Sequence, residues 1–162
     1  MKLDVERQAP GRNSLELAED LPLHLAGEAE PAEVRLEGIL TVDNLESRLV
    51  LMGTLQGRGR MICDRCLADF ELTFPVPVQL LVLRDTEVAE DEGETYVIHQ
   101  KQGEVDLAPP LQEAVILALP VKRLCREGCR GLCPTCGANL NSEVCRCTAE
   151  EADPRWEGLP EA

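Results

Sequence analysis

The stretch Phe70-Glu71-Leu72-Thr73-Phe74-Pro75-Val76-Pro77-Val78-Gln79-Leu80-Leu81-Val82 decides the fold class. Phe70, Leu72, Phe74, Val76, Val78, Leu80 and Val82 all fall on even positions, with Glu71, Thr73 and Gln79 facing the other way. A period of two belongs to a strand with one buried face. Pro75 and Pro77 share the polar side and have no amide hydrogen for a ladder, so they imply a sheet edge or a break. Upstream, Val34, Leu36, Leu40 and Val42 repeat the pattern, Asp43 to Ser47 supplies a turn, and Arg48 to Gln56 reads as the returning strand. Gly57 and Gly59 then flank Arg58 before Met61-Ile62-Cys63. Residues 1–32, with Pro10-Gly11 and Pro22, hold a short strand or two. Downstream, Asp85 to Glu94 places six acids in ten residues, a solvated loop, and Thr95 to His99 is a further short strand. One helix follows, capped by Asp106 or Ala108, with Pro109-Pro110 in its first turn and Pro120 as its stop. Leu111, Val115, Ala118 and Leu119 repeat at helical spacing, and Ile116 and Leu117 widen the apolar face, which predicts packing against the sheet.

At 162 residues, 44 % apolar and 28 % charged, the chain can bury a core and is one domain or one domain with an appendage. Phe70, Phe74, Tyr96 and Trp156 are its four aromatic residues, too few for a base-stacking platform. A net charge of −14 repels phosphate and excludes indiscriminate nucleic-acid binding by the molecule as a whole. No apolar run approaches the roughly 20 residues of a membrane helix. Met1-Lys2-Leu3-Asp4-Val5-Glu6 turns acidic where a signal peptide would turn apolar. The expectation is a soluble, cytoplasmic protein.

Cysteines stand at 63, 66, 125, 129, 133, 136, 145 and 147. A secreted disulfide framework needs an export signal, and a redox C-x-x-C pair usually opens a helix. Zinc accounts for the set better, since two tetrahedral thiolate sites use all eight. Cys133-Pro134-Thr135-Cys136-Gly137 has knuckle spacing, and Cys145-Arg146-Cys147 can complete one site. Cys63, Cys66, Cys125 and Cys129 make the second, stapling a strand end to the segment after the helix. An alternative joins Cys125, Cys129, Cys133 and Cys136, leaving Cys63 and Cys66 free or redox-active. From Leu124 to Cys147 there is too little aliphatic content for a core, so something other than burial must order the segment. A catalytic zinc normally has histidine or carboxylate ligands, and His24 and His99 both lie far from the cysteines, so these sites read as structural. No nucleophile elbow, phosphate loop or paired acid and base is present.

Charge is unevenly spread. Arg58, Arg60 and Arg65 surround the first cysteine pair, and Lys122, Arg123, Arg126, Arg130 and Arg146 surround the rest. Eight bases against Asp64, Glu127 and Glu143 leave a local surplus of five and −19 elsewhere. These bases either offset the negative zinc–thiolate groups or form a patch for RNA or an acidic protein partner.

The sequence resembles the YceD-type large ribosomal RNA subunit accumulation proteins of bacteria and plastids. The resemblance rests on Cys63-Asp64-Arg65-Cys66-Leu67 before the alternating strand, and on Glu113-Ala114-Val115-Ile116-Leu117-Ala118-Leu119-Pro120. It rests also on Cys125 with Cys129-Arg130-Gly131-Leu132-Cys133-Pro134-Thr135-Cys136-Gly137, on Asn139-Leu140-Asn141 before Cys145 and Cys147, and on Asp153-Pro154-Arg155-Trp156 with Leu159. It covers most of residues 60–160. It implies a non-enzymatic factor needed for 23S ribosomal RNA accumulation and large-subunit biogenesis, with a link to a large-subunit ribosomal protein and no catalytic role. Some relatives lack part of the second cysteine cluster, which favours an architectural part for the metal.

The expected fold is α+β: a curved, mostly antiparallel sheet or open barrel, one packed helix and a C-terminal zinc-knuckle segment. Residues 1–120 form the core, and residues 121–162 form the cysteine-rich segment with an acidic tail, docked on it. The expected function is a binding module for precursor 23S RNA or a large-subunit ribosomal protein, holding two structural Zn2+ ions. The eight bases named above form its contact surface, with no membrane and no small-molecule substrate. Its rivals are a redox-sensitive chaperone or sensor that ejects zinc, and a metal-dependent RNA-processing enzyme. Trp156 either anchors the tail or faces a partner.

Overall fold

The protein is seen in a computed structural model that describes residues 2–24, 31–45, 47–83, 96–99 and 103–147. The acidic run 85–94, the tail 148–162 with Trp156, and the side chain of His99 lie outside the described residues. In chain order the elements are β1 (Lys2–Asp4), β2 (Gly11–Leu23), β3 (Ala32–Asn44), β4 (Arg48–Ile62), β5 (Asp69–Leu83), β6 (Tyr96–His99), β7 (Glu104–Asp106) and α1 (Ala108–Ala118). Five strands form a sheet in the order β2-β3-β4-β5-β6, and β1 pairs with β7 apart from it. Every pairing is antiparallel except β5 with β6. The sheet ends at β2 and β6 and does not close into a barrel among the described residues. The result is a mostly antiparallel α+β fold with one described helix.

The core follows from the register. Val42 lies beside Leu51, and Leu51 beside Leu80; Leu49 meets Val82, and Leu55 meets Val76. Each of these side chains is buried, and each buried aliphatic side chain contributes about 1.5–3 kcal/mol. α1 lies against β5 and β2 and adds Leu111 and Val115 to the same core, with Leu107 just ahead of it. One crossing depends on the absence of a side chain. Phe74 sits opposite Gly57 in register, and a Cβ on Gly57 would stand 2.9 Å from the Phe74 ring. The missing side chain lets the ring lie over the strand.

Several elements differ from the sequence expectations, each for a local reason. β4 continues through Gly57 and Gly59 to Ile62, because Phe74 and Val76 fill the space at Gly57, and Val34 and Met61 that at Gly59. β2 is a thirteen-residue edge strand rather than a short one, and only Leu17, Leu21 and Leu23 on it are buried. Pro75 and Pro77 do not break β5; they pair with Gln56 and Thr54 in β4, and β6 adjoins β5 only from Leu80 onward. The helix N-cap is Leu107 rather than Asp106 or Ala108, though the Asp106 carboxylate accepts the Ala108 N–H at 3.0 Å. Ile116 and Leu117 are 47 % and 79 % exposed, so the helix buries a narrower stripe than its composition suggests. No helix among the described residues is long and apolar enough to cross a membrane.

Candidate metal centres

β4 delivers Cys63 into a tight turn in which the Leu67 N–H donates to the Cys63 carbonyl at 2.9 Å and the Cys63 N–H to the Ala68 carbonyl at 2.9 Å. The second turn repeats it: Gly137 N–H to the Cys133 carbonyl at 2.9 Å, and Cys133 N–H to the Ala138 carbonyl at 2.8 Å. Both turns need a left-handed residue after the second cysteine. Gly137 supplies it at φ +73° without strain, whereas Leu67 adopts φ +56°, a conformation that costs a non-glycine residue about 1–2 kcal/mol.

The structure gathers the eight cysteines into two sets of four. In each set all four sulfurs lie within 4.8 Å of one another: Cys63, Cys66, Cys125 and Cys129 in the first centre, and Cys133, Cys136, Cys145 and Cys147 in the second. None is in a disulfide. A zinc–sulfur bond of about 2.3 Å gives a tetrahedron with edges of about 3.8 Å. In the first centre Cys63 and Cys129 sulfurs stand 3.8 Å apart, and Cys66 and Cys125 stand 3.7 Å apart. In the second, Cys136 and Cys145 are 3.8 Å apart and Cys133 and Cys145 are 3.3 Å apart. The spacing fits a metal held by four thiolates, the donor set of a closed structural site. Neither set includes a histidine or carboxylate among the described residues, and His24 is exposed. The Cys125–Cys129–Cys133–Cys136 grouping is not the one formed.

The centres differ in burial. Cys63, Cys66 and Cys129 are sealed beside Phe70, Leu124 and Leu132, whereas Cys136 and Cys147 are exposed. A clamp joins the first turn to the segment after the helix. The Asp64 N–H donates to the Arg123 carbonyl at 2.9 Å, and the Asp64 carboxylate accepts the Arg123 N–H at 2.6 Å and its Nη2 at 3.1 Å.

Each centre polarises its thiols unequally. Burial is the largest single influence on Cys63 and opposes its ionisation, yet N–H groups of Cys125, Cys66 and Arg65 together bring it down to about 6. The N–H groups of Cys136 and Thr135 bring Cys133 to about 6. Burial, then contact with Cys66, pushes Cys125 up to about 12, and contact with Cys136 does the same for Cys147. A metal must displace every proton still held. Affinity is therefore expected to rise with pH by roughly tenfold per unit for each proton released. It should fall more steeply below about 6, where Cys63 and Cys133 also protonate. Zinc titration against a chelator between pH 5.5 and 8.5 checks the sign; a flat profile would contradict it.

The eight bases divide by role. Arg65 Nη1 donates to the Cys129 carbonyl at 2.9 Å, Arg123 holds Asp64, and Arg126 Nη2 donates to Asn141 Oδ1 at 2.7 Å. These three brace the centres. Arg58, Arg60, Lys122, Arg130 and Arg146 are exposed, as Arg65 and Arg126 are, and among the described residues Arg58 alone of these five has a carboxylate within reach, Glu71 at 3.9 Å. Sequence reasoning gave Asp64 and the Asn139–Asn141 pair no structural part; two asparagines two residues apart, just ahead of a cysteine pair, were the available signal.

A mostly antiparallel sheet carrying two four-cysteine clusters defines a knuckle-bearing protein whose sulfurs are placed as metal ligands would be. A family model described as "Large ribosomal RNA subunit accumulation protein YceD" matches residues 51–161, a span that includes all eight cysteines, and the chain belongs to that family. It is 33 % identical over 123 residues to an uncharacterized protein of Mycobacterium tuberculosis, covering 75 % of this chain and 59 % of the relative. The match to a Mycobacterium bovis protein has the same extent. The chain thus spans about three fifths of the length of these curated relatives. It is also 38 % identical over 50 residues to the Arabidopsis thaliana "Large ribosomal RNA subunit accumulation protein YCED homolog 1, chloroplastic", covering 31 % of this chain and 16 % of that one. No solved structure matches.

Proposed function

We propose that this chain is a non-enzymatic, cytoplasmic factor for the accumulation of 23S ribosomal RNA, acting as a binding module on the assembling large subunit. The observation that carries the reading is the family match over residues 51–161, with the name of the Arabidopsis thaliana relative supporting it. Residues 1–120 are the core, and residues 121–162 are the cysteine-rich segment docked on it. Both four-cysteine sets hold zinc as structural ions. The contact is made by the exposed cations around the knuckles, Arg58, Arg60, Lys122, Arg130 and Arg146, with precursor 23S RNA. Arg65 and Arg126, also exposed, and Arg123 belong to the same surface while bonding to the Cys129 carbonyl, Asn141 and Asp64. The acidic remainder of the chain limits binding elsewhere on RNA.

The test is sucrose-gradient fractionation of lysate across a salt series. The protein is expected to migrate with large-subunit precursors, not mature ribosomes, and to be released as salt rises. Arg60→Glu, Arg130→Glu and Arg146→Glu combined should abolish that migration with metal content unchanged. Undiminished migration of the triple variant rejects the basic surface. Retention in precursors after RNA digestion would move the contact to a large-subunit ribosomal protein.

A second reading, a redox-sensitive sensor that releases zinc, draws on the exposure of Cys136 and Cys147. It requires peroxide at physiological levels to empty the second centre and to expose apolar surface to a dye.

A further inference from the structure

The loop of the second centre reaches back onto the first. Leu132 pairs with Asn139, the Leu140 N–H donates to the Gly131 carbonyl at 3.0 Å, and Asn141 follows between Cys136 and Cys145. Asn141 Oδ1 accepts from Arg126 Nη2 at 2.7 Å and from the Arg130 N–H at 2.9 Å. Its Nδ2 donates to Asn139 Oδ1 at 2.9 Å and to Cys129 Sγ at 3.4 Å. Two donors facing the amide oxygen fix the flip, so the nitrogen must face the sulfur. Cys129 belongs to the first centre, while Asn141 sits on a loop whose two ends are cysteines of the second. An N–H donated to a ligating thiolate spreads its charge and orients it, and groups of this kind commonly change metal affinity by about 10–100-fold.

We propose that Asn141 is a positioning residue for the first centre, so that metal retention there depends on closure of the second. This rests on the reading of both clusters as metal sites. The full chain is loaded with cobalt(II) and challenged with a chelator, while differential alkylation reports which cysteines become free. Wild type is expected to bind two ions and to free Cys133 and Cys136 before Cys63 and Cys66. Asn141→Asp keeps the acceptor for Arg126 and Arg130 but removes the donor. It should speed release from the first centre about tenfold and shift its thiolate-to-cobalt absorption band. Cys145→Ser with Cys147→Ser opens the second centre without touching Asn141, and should speed first-centre release similarly. Adding Asn141→Asp to that pair should then add little, because both act through one contact. Unchanged first-centre retention in the Cys145→Ser/Cys147→Ser protein, or effects that simply multiply, overturns the coupling alone. Fewer than two ions in wild type overturns the metal reading and the coupling with it.

Discussion

The Cys66→Ser protein is expected to bind one metal ion per chain instead of two and to release residues 121–147 from the end of the sheet. Between Val121 and Cys147 no aliphatic side chain is fully buried; Cys129 and Cys133 are the buried apolar side chains, with Leu124 and Leu132 only partly covered. What fixes this segment is the four-sulfur centre, the Asp64–Arg123 clamp and the Arg65 contact to the Cys129 carbonyl. The proposed metal needs all four thiolates, and hydrogen bonds exposed to water cannot order the segment without it. Cleavage after Lys122, Arg123 and Arg126 by a lysine- and arginine-specific protease should accelerate by about a hundredfold or more, while β2 to β5 keep their amide protection. Cys147→Ser, in the exposed centre, should open residues 133–147 and leave the clamp at Asp64 in place. Two bound ions and an unaltered cleavage rate in Cys66→Ser would remove the first centre as the element that holds the segment.

The second large effect lies inside the sheet. Phe74→Ala should destabilise the protein by about 3–5 kcal/mol, since the ring is buried over Gly57 and the backbone around it cannot collapse to fill the void. Thermal unfolding should then begin about ten degrees or more below wild type. Gly57→Val alone overpacks against the same ring and costs about 1–3 kcal/mol. Together the two changes should cost less than their sum, because the added methyl groups enter the space the ring vacates. Strict additivity in chemical denaturation would mean that the ring and the glycine do not meet. Metal content should not change, since Phe74 belongs to the sheet core and Phe70 is the aromatic residue beside the first centre.

What the sequence revealed depended on how local the signal was. Alternation over Phe70 to Val82 and over Val34 to Val42 identifies β5 and β3, because a half-buried strand leaves its period in the residues themselves. β4 was legible only to Gln56: Gly57 and Gly59 carry no polarity to read, and their reason lies in the side chains of the strands on either side, Phe74 for one and Val34 for the other. β1 and β7 are three residues each and find one another across about a hundred positions, so neither has a pattern of its own. Nor does alternation encode direction, which is why the parallel pairing of β5 with β6 was not foreseen. The C-x-x-C and C-x-C spacings reveal which sulfurs are neighbours locally. That Cys63 and Cys66 meet Cys125 and Cys129 is decided by where β4 and α1 end. Composition placed eight bases around the cysteines but could not show that Arg65, Arg123 and Arg126 also bond to acceptors within the chain.

The two centres close loops of very different size. Cys66 and Cys125 stand 59 residues apart, with β5, β6, β7 and α1 between them, whereas Cys136 and Cys145 are nine apart. By loop-closure entropy alone, the longer contact is about 1.7 kcal/mol harder to form from an open chain. On a ribosome the first knuckle emerges early and must wait for most of the chain before its remaining sulfurs arrive, while the second can shut soon after it appears. An ion taken up by the first centre would therefore report that β5 and α1 have already been delivered to their places, and would act as a late clasp on a finished fold rather than as a seed for it.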